Sequence, residues 1–340
     1  MSASSKTIKH FVFTFLSAII LTSSITSCVT TDEYDDNPKG NFEALWRIMD
    51  EHYCFFTQKG IDWNEVHERY SHQFDATMTD AQTFEVMTKM LSEVKDGHVN
   101  LYTPFNIGRY WAWYEEFPKN YSDSLERKYL KTDYRIASGM DYTIFDDNVG
   151  YIRCKSFLNN TGAGNLDNIL LYMQPCRGLI IDIRNNGGGN VNNAEELAAR
   201  FTNEELLVGY IQHKTGTGHD DFSSLQPQHL KPGKGIRWQK PVIILTNRSV
   251  YSAANEFVKY MKCCPKAKIV GDKTGGGAGL PFSSELPNGW SIRFSACPMY
   301  DKNKQMTEFG IDPDYKVDIS SSDFSRGRDT IIEFARQLLH

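Results

Sequence analysis

The sequence lacks several features that mark whole classes of protein. Its apolar run Phe11–Leu21 is shorter than the roughly 20 residues that a membrane-spanning helix needs. No basic stripe interleaved with aromatic residues is present, and 37 basic residues stand against 42 acidic ones, so nucleic acid is not expected as a partner. The cysteine spacings match neither a disulfide framework nor a zinc site, which leaves buried free thiols as the expectation.

The start of the chain predicts export. Lys6 and Lys9 precede the apolar run, and Ile25–Cys28 follows it. This order is typical of a secretory signal, here residues 1–27. The Ile-Thr-Ser-Cys ending resembles the bacterial lipobox, which implies that Cys28 carries lipid. We therefore expect an exported protein, lipid-anchored to the bacterial cell envelope on its periplasmic or outer face. The alternative is a simple signal peptide with an unrelated cysteine.

Composition divides the rest of the chain into three parts. Residues 28–40 are polar and acidic and predict a flexible tether. Residues 41–103 carry three helical patterns, the third after a capping box at Thr79 and Gln82, and predict a helical region. Residues 104–340 form the predicted core, with a linker segment at its start. Short apolar strands alternate there with helical segments, which indicates an α/β fold. The predicted strands are Val149–Arg153, Gly178–Ile183, Leu207–His213, Pro241–Thr246, Lys268–Gly271 and Trp290–Ala296, the helices Asn193–Phe201 and Ser252–Met261, and a long loop 214–240.

One serine lies where the chain passes from a strand into a helix. The strand Val242–Thr246 runs into a short turn, and Ser252 then opens an apolar helix. A serine there has its Oγ at the positive end of the helix dipole, where developing negative charge is favoured. Nucleophilic catalysis is one interpretation. The other is that serine is simply a favoured N-cap residue.

A glycine run follows another predicted strand. Gly187, Gly188 and Gly189 come soon after Asp182–Arg184. Glycine lets backbone N–H groups converge on an oxyanion because no Cβ intervenes. The run lacks the GxxxxGK[ST] and GxGxxG patterns, so a phosphate or dinucleotide site is a poor interpretation. A plain flexible turn remains the alternative.

Two further residues could supply the other groups that acyl transfer uses. His98 lies in a predicted turn, and Glu308 begins the segment Glu308–Asp314. A serine, a histidine and a carboxylate fill the three roles of a hydrolytic triad in any chain order. Spacing alone does not select this histidine or this glutamate, because a lone histidine is usually structural and a lone carboxylate usually lies at the surface.

Four segments together resemble the tail-specific (C-terminal processing) serine peptidase family, in the branch of the tricorn protease core and interphotoreceptor retinoid-binding protein. They are Asp96–His98, Asp182–Gly189, Thr246–Ala253 and Glu308–Asp314, in the family's order. The resemblance covers roughly residues 41–318. It implies a crotonase- and Clp protease-like spiral of ββα units, preceded by the helical region.

The resemblance also implies an activity and its residues. It implies a serine-type endopeptidase that acts on a peptide or protein substrate and needs no metal or organic cofactor. Ser252 would attack the scissile carbonyl, His98 would act as the base, and Glu308 would orient the imidazole. The N–H groups of Ala253 and of Gly187–Gly188 would stabilise the oxyanion.

The sequence departs from the family pattern at three positions. Gly277 stands where C-terminal processing peptidases carry the lysine of a Ser–Lys dyad, and Lys273 is the lysine left nearby. Gly97 stands where the tricorn branch carries a second serine. Asn255 stands three residues after the nucleophile, where the family tends to carry glutamate. These departures favour histidine as the base and leave the orientation of the carboxylate open.

Two other functions fit the same scaffold. Only about fifty residues separate His98 from Val149, too few for the PDZ domain that many members carry, so a PDZ-less protein is predicted. A non-catalytic binding protein is one alternative, because retinoid-binding relatives share the scaffold. Crotonase-like acyl-CoA chemistry is the other, and the export signal counts against it because acyl-CoA is cytosolic.

Overall fold

A computed structural model describes residues 34–340 of the chain. The predicted signal sequence, the predicted lipid-bearing Cys28 and the first part of the predicted tether lie outside the described residues. The helices are α1 Pro38–His52, α2 Phe56–Lys59, α3 Trp63–Ser71, α4 Asp80–Ser92, α5 Ala112–Glu115, α6 Asp123–Leu130, α7 Ala163–Tyr172, α8 Val191–Ala198, α9 Ala253–Met261, α10 Ser321–Ser325 and α11 Thr330–Leu338. The strands are β1 Asn100–Tyr102, β2 Ile107–Arg109, β3 Arg135–Ala137, β4 Met140–Ile144, β5 Val149–Cys154, β6 Gly178–Asp182, β7 Leu206–Ile211, β8 Gln226–Leu230, β9 Val242–Thr246, β10 Ala267–Gly271, β11 Gly279–Glu285, β12 Ser291–Asp301 and β13 Tyr315–Lys316.

The first N-terminal helix begins slightly earlier than predicted. Asn37 is the N-cap of α1, and its side chain accepts the N–H of Gly40 at 2.9 Å. The predicted tether, which extended to residue 40, is therefore too long, because helix starts at Pro38. The predicted capping box at Thr79 and Gln82 is confirmed at the start of α4. The apolar faces of α1, α3 and α4 pack with β12 and the residues before it into one hydrophobic cluster.

A seven-stranded sheet carries most of the core. Its order is β13-β10-β9-β6-β5-β4-β3. The first five strands pair in parallel, and the hairpin β3–β4 joins them through antiparallel pairing of β4 with β5. Helices α7, α8 and α9 cover one face, and α6 and α11 cover the other. Parallel strands buried on both faces read as continuous apolar runs, as in β6 and β9, and the predicted α/β class is confirmed.

The second sheet has six strands and joins the N-terminal helices to the core. Its order is β2-β1-β12-β7-β8, with β11 also paired to β12. Strand β8 lies within residues 214–240, which were predicted as a loop. Its sequence, Gln-Pro-Gln-His-Leu, carries no apolar pattern, so the strand exists because β7 supplies its hydrogen-bonding partners.

Residues 104–147, predicted to begin with a linker, form short elements. They include β2, α5, α6 and the hairpin β3–β4, which extends the seven-stranded sheet. Within residues 34–340, no helix combines the length and apolarity that crossing a bilayer requires.

The sheet order places three turns side by side. Strands β6, β9 and β10 are neighbouring and parallel, so their carboxyl ends meet at one edge. The turns that follow these strands contain Gly187–Gly189, Ser252 and Gly276–Gly277. This edge is where open α/β sheets bind ligands.

Candidate active site

Ser252 adopts an unusual backbone conformation at the start of α9. Its φ is +57° and its ψ is −126°, a combination that costs a non-glycine residue about 1–3 kcal/mol. Its side chain makes no capping hydrogen bond to the helix. Instead, Oγ lies 2.9 Å from Nε2 of His98. The N-cap interpretation therefore does not describe this serine.

Backbone hydrogen bonds from two neighbouring turns hold the Ser252 turn. The N–H of Ser252 donates to the carbonyl of Gly276 at 2.9 Å. The N–H of Tyr251 donates to the carbonyl of Asn186 at 3.1 Å. The strained conformation is thus fixed by main-chain contacts to the turns after β10 and β6.

His98 lies in the turn between α4 and β1, next to the six-stranded sheet. Its side chain is buried, and its backbone N–H donates to Asp96 Oδ1 at 2.8 Å. Burial lowers the pKa of His98 to about 4, although the nearby Asp96 carboxylate acts in the opposite direction. The imidazole is therefore neutral at neutral pH and can accept the proton of Ser252.

Asp96 is a buried carboxylate to which the sequence analysis gave no role. Besides the N–H of His98, it accepts hydrogen bonds from Tyr53 Oη at 3.0 Å, Ser295 Oγ at 2.9 Å and Tyr251 Oη at 3.2 Å. These donors are the C-cap residue of α1, a residue of β12 and the residue before the nucleophile. A local signal existed: an aspartate two residues before a candidate base can accept that residue's N–H in an Asx turn.

Glu308 does not contact the imidazole, which corrects the predicted role. Its Oε2 accepts the N–H of Ala278 at 2.8 Å, and its Oε1 lies 3.2 Å from Nζ of Lys59. Nδ1 of His98 has no hydrogen-bond partner among the described residues. The physical reason is that Lys59, a cation from α2, attracts the carboxylate to itself.

Three charged groups form a buried cluster behind His98. Lys59 Nζ lies 3.9 Å from Asp96 and 3.2 Å from Glu308. Burial would raise the pKa of Asp96, but Lys59 and the hydrogen bonds outweigh it and hold that pKa below its usual value. Burial and the neighbouring Asp96 charge raise the pKa of Glu308 to about 7. Of the two carboxylates, Asp96 is therefore the one that stays ionised near His98.

Aromatic rings fill the space of the two side chains missing from the family pattern. A Cβ on Gly97 would lie 2.6 Å from Nε1 of Trp113 and 3.0 Å from the Tyr251 ring. A Cβ on Gly277 would lie 2.4 Å from the same tyrosine ring. Trp113 and Tyr251 therefore leave no room for the second serine, and Tyr251 leaves none for the dyad lysine. Lys273 instead lies 3.8 Å from Asp312 at the surface.

The glycine turn packs directly against the nucleophile. A Cβ on Gly188 would lie 2.8 Å from Cβ of Ser252 and 2.9 Å from N of Ala253. The N–H of Gly188 already donates to Asn186 Oδ1 at 2.9 Å, so Gly188 is a close contact and not a free donor. Ala253 begins α9, and the first N–H groups of a helix have no partner within it. Ala253 and Gly187 are thus the remaining candidate donors to an oxyanion.

A cleft of about 1300 Å³ opens over Ser252 and His98. Its walls carry eight aromatic side chains, namely Tyr102, Trp111, Trp113, Tyr114, Phe117, Tyr121, Tyr251 and Phe324. In residues 34–340, no group of three or more His, Cys, Asp or Glu side chains is arranged to hold a metal ion. The six cysteines in this range are free thiols, and all but Cys263 are buried.

Two family models match this chain. Residues 148–317, half of the chain, match Peptidase family S41, and residues 34–92 match the Tricorn protease C1 domain. The first match contains the glycine turn, Ser252 and Glu308, whereas His98 lies outside both. The chain belongs to peptidase family S41.

Named relatives agree with this assignment. The crystal structure of a candidate peptidase from Parabacteroides merdae is 52% identical, with a TM-score of 0.85 over 90% of this chain and 97% of that one. A CtpA-like serine protease of Staphylococcus epidermidis is 31% identical over 150 residues, 44% of this chain and 29% of that protein. The tricorn protease of Thermoplasma acidophilum is 25% identical over 190 residues, 55% of this chain and 16% of that protein. The chain thus spans less than a third of either of these two proteases.

Proposed function

We propose that this protein is a serine peptidase that hydrolyses peptide bonds through an acyl-enzyme. The observation that carries the proposal is the 2.9 Å contact between Ser252 Oγ and His98 Nε2, which joins residues 154 positions apart in the chain. A hydroxyl within hydrogen-bond reach of a neutral imidazole is the arrangement that an activated serine needs.

The steps follow from this geometry. His98 Nε2 takes the proton of Ser252 as Oγ attacks the scissile carbonyl carbon. The N–H groups of Ala253 and Gly187 stabilise the oxyanion, each contributing about 3 kcal/mol. The imidazolium then gives its proton to the leaving amine, and water hydrolyses the acyl-enzyme with His98 again as the base.

Asp96 takes over part of the role predicted for Glu308. It holds the His98 backbone through a 2.8 Å hydrogen bond, and its negative charge favours the imidazolium that forms during the reaction. Asp96 acts through His98 and is a positioning residue. Glu308 fixes Ala278 and Lys59 and so supports the cluster behind the base.

Active-site labelling tests the proposal. A fluorophosphonate probe should label the protein, and mass spectrometry of the digest should place the label on Ser252. Ser252→Ala should lose both labelling and peptide hydrolysis, whereas Ser321→Ala, at an exposed serine that opens α10, should keep both. A folded wild-type protein that neither labels nor cleaves peptides would favour the binding protein.

The proposal includes export and a lipid anchor at Cys28. It rests on the sequence of residues 1–28. More than one acyl chain on Cys28 would hold the protein to a membrane stably, which a single chain does not. In a bacterial host, the wild-type protein should incorporate radiolabelled palmitate and sediment with membranes, and Cys28→Ala should do neither. Unchanged membrane association of Cys28→Ala would contradict the anchor.

A further inference from the structure

Three strands of the six-stranded sheet place two arginines in the wall of the cleft that holds the catalytic pair. Strand β1 lies between β2 and β12, and Asn100 on β1 is directly opposite Arg109 on β2 and Arg293 on β12. Directly opposed residues project from the same face of a sheet. All three side chains line the cleft that holds Ser252 and His98.

Neither guanidinium has an acidic partner among the described residues. Arg293 is half-buried and forms no ion pair and no side-chain hydrogen bond there. Arg109 packs its guanidinium 4.9 Å over the ring of Trp111. Glu115 and Asp123 also line the cleft, and neither forms an ion pair with the two arginines.

Among the described residues, the fully buried arginines Arg153, Arg184 and Arg200 each have an acidic partner. Arg184 lies 2.6 Å from Asp182 and 2.9 Å from Asp329. Arg153 is paired with Glu126. Arg293 has no such partner within residues 34–340, and it also differs from the half-buried Arg248, whose guanidinium donates to the carbonyls of Trp113 and Thr274.

A carboxylate is the ligand that this arrangement lacks. Two arginines without acidic partners, on the strands either side of Asn100, give this wall of the cleft a positive charge. The planar guanidinium binds a carboxylate through two parallel hydrogen bonds. We propose that Arg293, supported by Arg109, forms a subsite of the cleft that binds a carboxylate of the peptide substrate. This inference rests on the proposed peptidase function and narrows its substrate class.

The subsite also couples to the base. The positive charge of Arg293 acts with burial to lower the pKa of His98. A substrate carboxylate bound to Arg293 would offset that charge and make His98 a stronger base. An acidic substrate should therefore have a higher kcat as well as a lower KM.

The carboxylate can come from an Asp or Glu side chain or from the C-terminus of the substrate. Four matched synthetic peptides distinguish these sources: one glutamate or one glutamine near the cleaved bond, each with a free or an amidated C-terminus. The wild-type enzyme should prefer one carboxylate source by roughly 10- to 100-fold in kcat/KM, the range for hydrogen bonds to charged groups. Equal cleavage of all four peptides would overturn the subsite while leaving the peptidase intact.

Variants then assign the preference to its residue. Arg293→Gln should bring the ratio of kcat/KM between the carboxylate peptide and its neutral match close to one, and Arg293→Lys should restore part of it. The matched control is Arg135→Gln, at an exposed arginine of β3 that packs on Tyr172, which should keep the wild-type ratio. An unchanged ratio in Arg293→Gln would overturn the proposal even if both rates fall.

A binding measurement separates this inference from the chemistry. Fluorescence anisotropy with the uncleaving Ser252→Ala variant should show tighter binding of the carboxylate peptide, and Ser252→Ala with Arg293→Gln should lose that difference. If wild-type protein cleaves nothing but this binding preference persists, the peptidase proposal fails and the subsite stands. If Ser252→Ala binds both peptides alike, the subsite fails.

Discussion

The two members of the catalytic pair are held by different kinds of contact. Ser252 is fixed by the main chain: its N–H and that of Tyr251 bind carbonyls of the turns after β10 and β6. His98 comes from the other sheet and depends on the side chain of Asp96, which also gathers hydroxyls from Tyr53 and Ser295. The order of the strands thus positions the nucleophile, whereas the buried carboxylate of Asp96 positions the base.

This difference has a consequence for how each side responds to substitution. Main-chain contacts tolerate most side-chain changes but not a new Cβ at a closely packed glycine such as Gly276. The side-chain network around His98 should respond gradually, because Asp96, Lys59 and Arg293 each contribute separately to the pKa of His98. A substitution that disturbs the Ser252 turn should therefore abolish activity, whereas substitutions around His98 should change activity by degrees.

The largest effect should come from removing the base. His98→Ala should lower kcat by roughly 10⁴-fold or more, as for other members of hydrolytic triads, whereas Lys273→Ala should stay within about twofold. The measurement is steady-state peptide hydrolysis with both variants, together with circular dichroism to verify folding. Loss of activity in Lys273→Ala with activity retained in His98→Ala would show that lysine is the base.

The second largest effect should come from a substitution at Gly276, whose carbonyl accepts the N–H of Ser252. A Cβ there would lie 1.7 Å from the carbonyl oxygen of Glu308, and φ is +88°. Gly276→Ala should therefore lower the free energy of unfolding by about 2–4 kcal/mol and abolish fluorophosphonate labelling. Urea denaturation measures the first effect and gel fluorescence the second.

Gly164 provides the matched control for that variant. It lies in α7, and an added Cβ would have no neighbour within 4 Å. Gly164→Ala should leave labelling intact and stabilise the protein by about 0.5–1 kcal/mol. Similar behaviour of both variants would mean that the Ser252 turn is not held by Gly276.

The side-chain network should respond to Asp96→Asn in a graded way. The amide keeps the shape but loses the charge and one acceptor oxygen, so His98 and Tyr251 lose part of their support. We expect kcat to fall by roughly 10- to 100-fold, equivalent to about 1.4–2.7 kcal/mol, with KM nearly unchanged. A purely structural role would instead lower the folded fraction and leave kcat per labelled site as in the wild type.

The smallest effect is a shift in pH dependence. His98 must be neutral to act as a base, and its pKa is lowered to about 4, so kcat/KM should fall as the pH drops through about 4. Arg293→Gln removes a charge that lowers this pKa, so its acid limb should move to higher pH. The measurement is a pH–rate profile, with tryptophan fluorescence to verify folding at each pH. Because the pKa of Glu308 is about 7, Glu308→Gln is the control: a limb near 6.5 that persists in this variant would contradict a desolvated base.

Much of the nucleophile side could be predicted from the sequence because its signals are local. The apolar runs of β6 and β9, the glycines after β6 and the serine before an apolar helix all lie within short windows. The position of β8 and the partner of Glu308 could not be predicted in this way. The first depends on pairing with β7, and the second on Lys59 from a distant helix.

The sequence by itself determined the strand–turn–helix unit around Ser252, because hydrophobic periodicity and glycine act over a few residues. It also contained Asp96, two positions before His98. Only the tertiary structure decided that His98 reaches Ser252, that Asp96 collects its donors and that Glu308 turns to Lys59. These contacts join turns and helices that are far apart in the chain, and the packing of the two sheets and the N-terminal helices, not any local preference, sets their distances.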